Sequence, residues 1–356
     1  MKQLDENQLS ELRHLIDGAQ SIIVTCHRSP DGDALGSSLA LSRYLKSLGK
    51  EVTIVIPDAY PDFLMWLPGT QEIVRYDKHP ERASMLIRIS DLIFCLDYNG
   101  IDRVGDEMMK PLATAAAPKV LIDHHLNPTV DSRVTFSFPE MSSTSEAVFH
   151  IIDALGGYDG IDSQTATCIY CGMMTDTGAF TYNSASPEVY NVIARLLAKG
   201  INKDRIYRNV FNNFSHWAIR LRGYLMSQKL NVFSDLHASY FTISRRDMRE
   251  YHFIKGDAEG LVNEPLRIKG MKLSVSLRED DHRDNLIWVS LRSVGNFPCN
   301  KMAEDFFNGG GHLNASGGRL NCSLAEAEKI VREAFAYYEG ALTGWGPLPK
   351  SRKENV

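Results

Sequence analysis

No stretch of this 356-residue chain stays apolar for the ~20 residues that a membrane-spanning helix needs. The first residues, MKQLDENQLSELRHLIDGAQ, are charged and amphipathic, without the unbroken apolar core of a secretory leader. They read as a capping helix, and a cytoplasmic protein with no membrane partner is expected. Positive charge is short as well: 39 Lys and Arg against 44 Asp and Glu give a net charge of −5. A protein that binds long duplexes carries a basic surface, so duplex DNA is not an expected partner. Any nucleic-acid substrate has to be short, or held locally by a few basic residues. Cysteine is sparse and scattered, at positions 26, 95, 168, 171, 299 and 322. Cys168 and Cys171 form a lone C-x-x-C, and no second pair completes a zinc site. Two core positions on one helix is the simpler reading. Internal repeats and low-complexity blocks are missing too.

The chain has the length for two domains and the composition of a globular protein, 44% hydrophobic and 23% charged. Its first half alternates short apolar runs with helix-like segments. The expected strands are 21–26, 51–56, 91–96 and 119–122, with a helix over 35–48 and less regular stretches elsewhere. This rhythm predicts an α/β fold built on a parallel sheet. Helices are expected at 142–155, 163–174 and 187–199, the first opening on several hydroxyls able to cap it. Residues 201–228 read as a helical connector rich in polar and aromatic residues, which is compatible with a homodimer. Strand patterns at 229–233, 239–244, 272–278 and 286–292 follow, then helices at 301–307 and 324–338. The expected organisation is a first domain over 1–200, the connector, a smaller α+β domain over 229–343, and a loose tail over 344–356.

Chemistry gathers where strands end. After the run Ile22-Ile23-Val24 come His27, then Ser29-Pro30-Asp31-Gly32-Asp33, read as a turn with a helix opening at Ala34. Asp97 closes LIFCLD, and Asp123-His124-His125 closes KVLI. Asp176 lies in CGMMTDTGAF, where a helix runs into a turn. Open α/β sheets bind ligands at the carboxyl ends of their strands. His27, Asp31, Asp33, Asp97, His124 and Asp176 are six imidazole and carboxylate groups, enough for two metal ions with one carboxylate bridging. That donor set without thiolate favours Mn²⁺, with Mg²⁺, Co²⁺ or Zn²⁺ possible. Two-metal sites are a common device for phosphoryl ester hydrolysis.

His27-x-x-Pro30-Asp31-Gly32-Asp33-Ala34-x-Gly36-Ser37, followed by Asp123-His124-His125, resembles the DHH phosphoesterase superfamily. Asp97 and Asp176 fall where its other acidic motifs are expected. Gly309-Gly310-Gly311-His312-x-Asn314-Ala315-Ser316-Gly317-Gly318 looks like the glycine-rich signature of the DHH-associated C-terminal domain, with Ala315-Ser316 as a mild variation. Glu259-Gly260-Leu261-Val262-Asn263 and Ser290-Leu291-Arg292-Ser293 look like the nanoRNase branch. The likeness runs from about Ser21 to Tyr338.

The resemblance implies that His27, Asp31 and Asp97 hold one metal. Asp33, Asp97, His124 and Asp176 would hold the other, with Asp97 shared. It leaves His125 to assist the phosphoryl or leaving group, and Asp123 to orient a neighbouring histidine. Arg292, Ser293, Gly309, Gly310, Gly311 and His312 would bind the substrate, the glycines forming an open loop whose amides can converge on an anion. The implied activity is hydrolysis of short oligoribonucleotides to mononucleotides, and of 3′-phosphoadenosine 5′-phosphate to AMP. Alternatives are a phosphodiesterase acting on cyclic di-AMP or pApA, less readily a pyrophosphatase, and remotely a non-catalytic nucleotide-binding protein.

Overall fold

The computed structural model describes residues 4–254, 256–344, 346, 348 and 349. The chain divides into two compact units, Met1–Asn213 and Phe214–Val356. Residues 201–228, read as a connector, straddle that division. The expected tail over 344–356 lies largely outside the described residues.

In the first unit the apolar runs form strands β1 (Ser21–Thr25), β2 (Glu51–Ile56), β3 (Val74–Arg75), β4 (Leu92–Leu96), β5 (Lys119–Asp123) and β6 (Val134–Ser137). They pair in the order β3-β2-β1-β4-β5-β6, every pair parallel. The order reverses between β1 and β4, which is where open sheets leave a crevice at their carboxyl edge. Helices are α1 (Glu6–Gly18), α2 (Gly32–Ser47), α3 (Pro80–Ile89), α4 (Asp106–Ala113), α5 (Thr144–Ala154), α6 (Ser163–Asp176), α7 (Pro187–Ala198) and α8 (Lys203–Phe211). They cover both faces of the sheet, which is why its strands are apolar without alternation. Ile22, Val24, Phe94 and Ile122 pack toward α1, α2, α5 and α6. Ile23, Ile93, Cys95 and Leu121 pack toward α3 and α4.

The second unit holds α9 (His216–Tyr224), β7 (Asn231–Phe233), β8 (Ala238–Ile243), α10 (Arg245–Glu250), β9 (Leu273–Glu279) and β10 (Leu286–Ser293). After these come α11 (Cys299–Phe306), β11 (Gly310–His312), β12 (Ala315–Asn321), α12 (Leu324–Tyr337) and α13 (Glu339–Thr343). Its sheet is mixed, in the order β11-β12-β10-β9-β8-β7, with β8 and β9 parallel and the other pairs antiparallel. Leu273, Val275, Leu277, Ile287, Val289 and Leu291 form a core with α11 and α12. Among the described residues, no helix is long and apolar enough to cross a membrane.

Two local expectations change. The helix after the first motif opens at Gly32, not Ala34, because the Asp31 carboxylate caps it: Oδ1 accepts from the Asp33 and Ala34 amides, both at 3.0 Å. Of the three glycines expected in a loop, only Gly309 lies outside a strand. Gly310 to His312 form an edge strand that doubles back through β12. A side chain on Gly311, whose φ is +140°, would meet the Ala315 carbonyl at 2.6 Å, so close main-chain approach accounts for the glycine there.

Candidate metal centre

The first motif is shaped by short polar ties. Ser29 sits at φ +51° and its amide donates to Asp58 Oδ1 at 2.5 Å, just beyond β2. The Arg28 amide donates to the Arg103 carbonyl at 2.8 Å. His27 donates from Nδ1 to the Arg28 carbonyl at 2.8 Å, which leaves Nε2 to face the acidic groups.

His27 leaves the carboxyl end of β1 and Asp97 that of β4, so they flank the point of reversal in the sheet. His27 Nε2 lies 3.4 Å from Asp97 Oδ2 and 3.8 Å from Asp31 Oδ2. His124, one residue past β5, turns Nε2 toward a second group. It is 3.6 Å from Asp97 Oδ1, 3.5 Å from Asp176 Oδ2 and 3.9 Å from Asp33 Oδ2. The two oxygens of Asp97 therefore face different neighbours. Asp97 itself is buried and sits at φ +61°, a conformation an aspartate accepts more readily than most residues.

Helix packing brings Asp33 and Asp176 in. Asp33 is in the first turn of α2 and Asp176 ends α6. The helices meet through Gly36 and Gly172. A Cβ on Gly36 would fall 2.6 Å from the Cys168 carbonyl and 2.9 Å from the Gly172 amide nitrogen. Cys168 and Cys171 are buried core positions on α6. Burial pushes the Cys168 thiol up to about 12, as expected of an inert core cysteine.

The electrostatics show what the site requires. The ligand atoms of Asp33, His124 and Asp176 lie within 4.8 Å of one another, as do those of His27, Asp31 and Asp97. Two unit charges at such a separation repel by roughly 3–4 kcal/mol at an effective dielectric of about 20. Burial, with Asp97 and Asp176 nearby, raises Asp33 well above the usual carboxylate range. Asp176 is carried to about 6 by burial, with His124 opposing. Burial pushes His27 and His124 toward neutrality, yet the surrounding carboxylates carry both to about 9. Asp97 stays far below its usual value despite burial, because His27 bonds to it. A divalent cation replaces these protons with fixed positive charge, and imidazole with carboxylate is a donor set that suits one.

Asp123 and His125 form a pair beside this. His125 Nδ1 is 2.7 Å from Asp123 Oδ1 and 3.8 Å from Asp97 Oδ1. Asp123 is fully buried, and its Oδ2 has no hydrogen-bond partner among the described residues.

In the second unit, Arg292 on β10 opposes Ala315 on β12, and Ala315 opposes His312 on β11. Cross-strand partners share a face, so Arg292 and His312 stand on one side of the sheet with an alanine between them. Arg292 Nη1 donates to the Leu291 carbonyl at 2.9 Å. Its Nε is buried without a hydrogen-bond partner among the described residues. Ser293 is buried, and its hydroxyl donates to Phe297 and accepts from Asn314, so it braces the strand end. Gly310 and Gly311 lie on the edge strand, with Gly309 just before it.

Sequence reading missed the segment Met141–Ser145. Its hydroxyls were legible as helix caps, but not its bonds to Asp33 and Asp97, which lie 111 and 47 positions away.

A parallel sheet with two acid–imidazole groups at its reversal point, followed in the chain by a second unit with a mixed sheet, defines a class. Residues 21–173 match the DHH family, N-terminal domain, and residues 240–339 match the DHHA1 domain. The chain belongs to the DHH family of phosphoesterases, which are hydrolases. It is 30% identical over 329 residues to the bifunctional oligoribonuclease and PAP phosphatase NrnA of Thermus thermophilus, covering 92% of each chain. It is 25% identical over 347 residues to the cyclic-di-AMP phosphodiesterase GdpP of Geobacillus thermodenitrificans, covering 92% of this chain and 49% of that one. The solved structure of an exopolyphosphatase-related protein from Bacteroides fragilis superimposes with a TM-score of 0.91 at 45% identity, covering 96% of this chain and 99% of that one.

Proposed function

We propose that this chain is a Mn²⁺-dependent phosphoesterase that cuts short oligoribonucleotides to mononucleotides and removes phosphate from 3′-phosphoadenosine 5′-phosphate. The observation that carries this reading is Asp97, whose two oxygens face His27 on one side and His124 on the other. His27, Asp31 and Asp97 would hold one ion, and Asp33, Asp97, His124 and Asp176 would hold the second, with Asp97 shared. When bound, such a pair supplies Lewis acidity toward phosphoryl oxygens and makes water acidic enough to attack near neutral pH.

The chain's own residues supply the rest. Asp123 accepts from His125 Nδ1, which orients the ring and leaves Nε2 to face the phosphoryl or leaving oxygen, to which it donates when the ring is the imidazolium. Arg292, whose Nε is buried without a hydrogen-bond partner among the described residues, and His312 on the same sheet face bind a substrate phosphate. Glycines 309–311 bring backbone amides to the same edge. A substrate of a few phosphates suits a net charge of −5, and a cytoplasmic location fits six free cysteines. The similarity to a bifunctional oligoribonuclease and PAP phosphatase over 92% of both chains supports this reading. The similarity to a cyclic-di-AMP phosphodiesterase supports the second one, hydrolysis of cyclic di-AMP or pApA.

Asp97→Ala is expected to abolish Mn²⁺-dependent hydrolysis of pApA while circular dichroism stays unchanged. Near-normal turnover by that variant would remove the shared-ligand assignment.

A further inference from the structure

We infer that the segment Met141–Ser145 is a positioning element for the metal centre and that Thr144 is its central residue. The inference rests on the two-set reading of the site given above. The Thr144 hydroxyl donates to Asp97 Oδ1 at 2.9 Å, the oxygen that faces His124. The Thr144 amide donates to Asp33 Oδ2 at 2.7 Å, and the Ser145 amide to Asp33 Oδ1 at 2.9 Å. The Met141 carbonyl lies 3.4 Å from His124 Nδ1, so that nitrogen donates and Nε2 turns toward the acids. One short stretch thus orients Asp33, Asp97 and His124, all three in the second ligand set.

The stretch is itself fixed. Ser143 caps α5 by accepting from the Glu146 amide at 3.0 Å. Glu146 Oε2 accepts from the Ser142 amide at 2.7 Å and from its hydroxyl at 2.6 Å. Residues 142–146 are all buried. These groups reach the carboxylates through hydrogen bonds from a helix N-terminus, where donors to negative charge are favoured. They therefore hold Asp33 and Asp97 in place before a cation arrives. Thr144 is a positioning residue: it acts on the ions through Asp97 and Asp33.

Groups that orient metal ligands carry about 10- to 100-fold in metal affinity. Thr144→Val keeps the side chain's shape and the amide but loses the hydroxyl donor. Its effect falls on the Asp33–Asp97–His124–Asp176 set more than on His27–Asp31–Asp97, because the lost bond ends on the oxygen facing His124.

The test is titration of MnCl₂ into metal-stripped full-length protein, with free Mn²⁺ followed by electron paramagnetic resonance. Wild type is expected to take up two ions. Thr144→Val is expected to keep one affinity and weaken the other by about 10- to 100-fold, while Thr144→Ser stays close to wild type. A merely structural role would lower the metal-free melting temperature without splitting the two affinities. Two unchanged affinities in Thr144→Val overturn the inference. A loss in Thr144→Ser as large as in Thr144→Val overturns it as well, since the methyl group and not the hydroxyl would then matter. Uptake of a single ion by wild type would instead remove the two-set reading beneath it.

Discussion

At the scale of single residues, the site is a problem in charge. Asp33, Asp97 and Asp176 are crowded together, and without a cation the molecule answers with protons. Raised values at His27, His124 and Asp176 give one direction of pH dependence. A group with a raised folded pKa stabilises fully below its unfolded value, and that stability is lost as pH rises through the folded one. For the histidines the window runs from about 6.5 to about 9. Metal-stripped protein is therefore expected to melt at progressively lower temperature across that window. Added Mn²⁺ should restore more stability at its upper end, where fewer protons compete. A melting temperature of the stripped protein that stays flat or rises across that window would show that these histidines are not paired as described.

At the scale of elements, α2 and α6 decide where Asp33 and Asp176 stand. Their separation is set at Gly36, which faces main-chain atoms of Cys168 and Gly172. Gly36→Ala leaves no flexible side chain to yield, so it should destabilise by about 1–3 kcal/mol. It should also lower Mn²⁺ affinity, because α2 carries Asp33. Urea unfolding with and without Mn²⁺ measures both, and an unchanged midpoint would mean that the helices do not meet as described. Strands were legible where burial is two-sided: β1, β4 and β5 carry continuous apolar runs, and β2 one interrupted at Thr53. β3 is two residues long, and β6, VTFS, is half buried at the sheet edge. β12, ASGGRLN, carries glycines where strands usually carry branched residues, so its pairing with β10 and β11 is tertiary and not written in propensity. The six acid and imidazole groups stood out because they follow strands or sit at the start or end of a helix. Thr144 and Ser145 did not, because two of their three bonds to the carboxylates come from backbone amides, which any sequence provides.

At the scale of the molecule, the chain joins a unit with the candidate metal centre to a unit whose sheet presents Arg292 and His312 on one face. A protein with a net charge of −5 is suited to substrates with few phosphates. The central claim is that this DHH phosphoesterase works on short ribonucleotides with Mn²⁺. The most direct measurement is a competition assay in which purified protein and Mn²⁺ meet pApA, 3′-phosphoadenosine 5′-phosphate, cyclic di-AMP and pyrophosphate together. The account predicts that pApA and 3′-phosphoadenosine 5′-phosphate are consumed first, both giving AMP, and that chelation of the metal stops the reaction. Consumption of cyclic di-AMP or pyrophosphate ahead of them, of pApA without 3′-phosphoadenosine 5′-phosphate, or turnover indifferent to chelation, would contradict it.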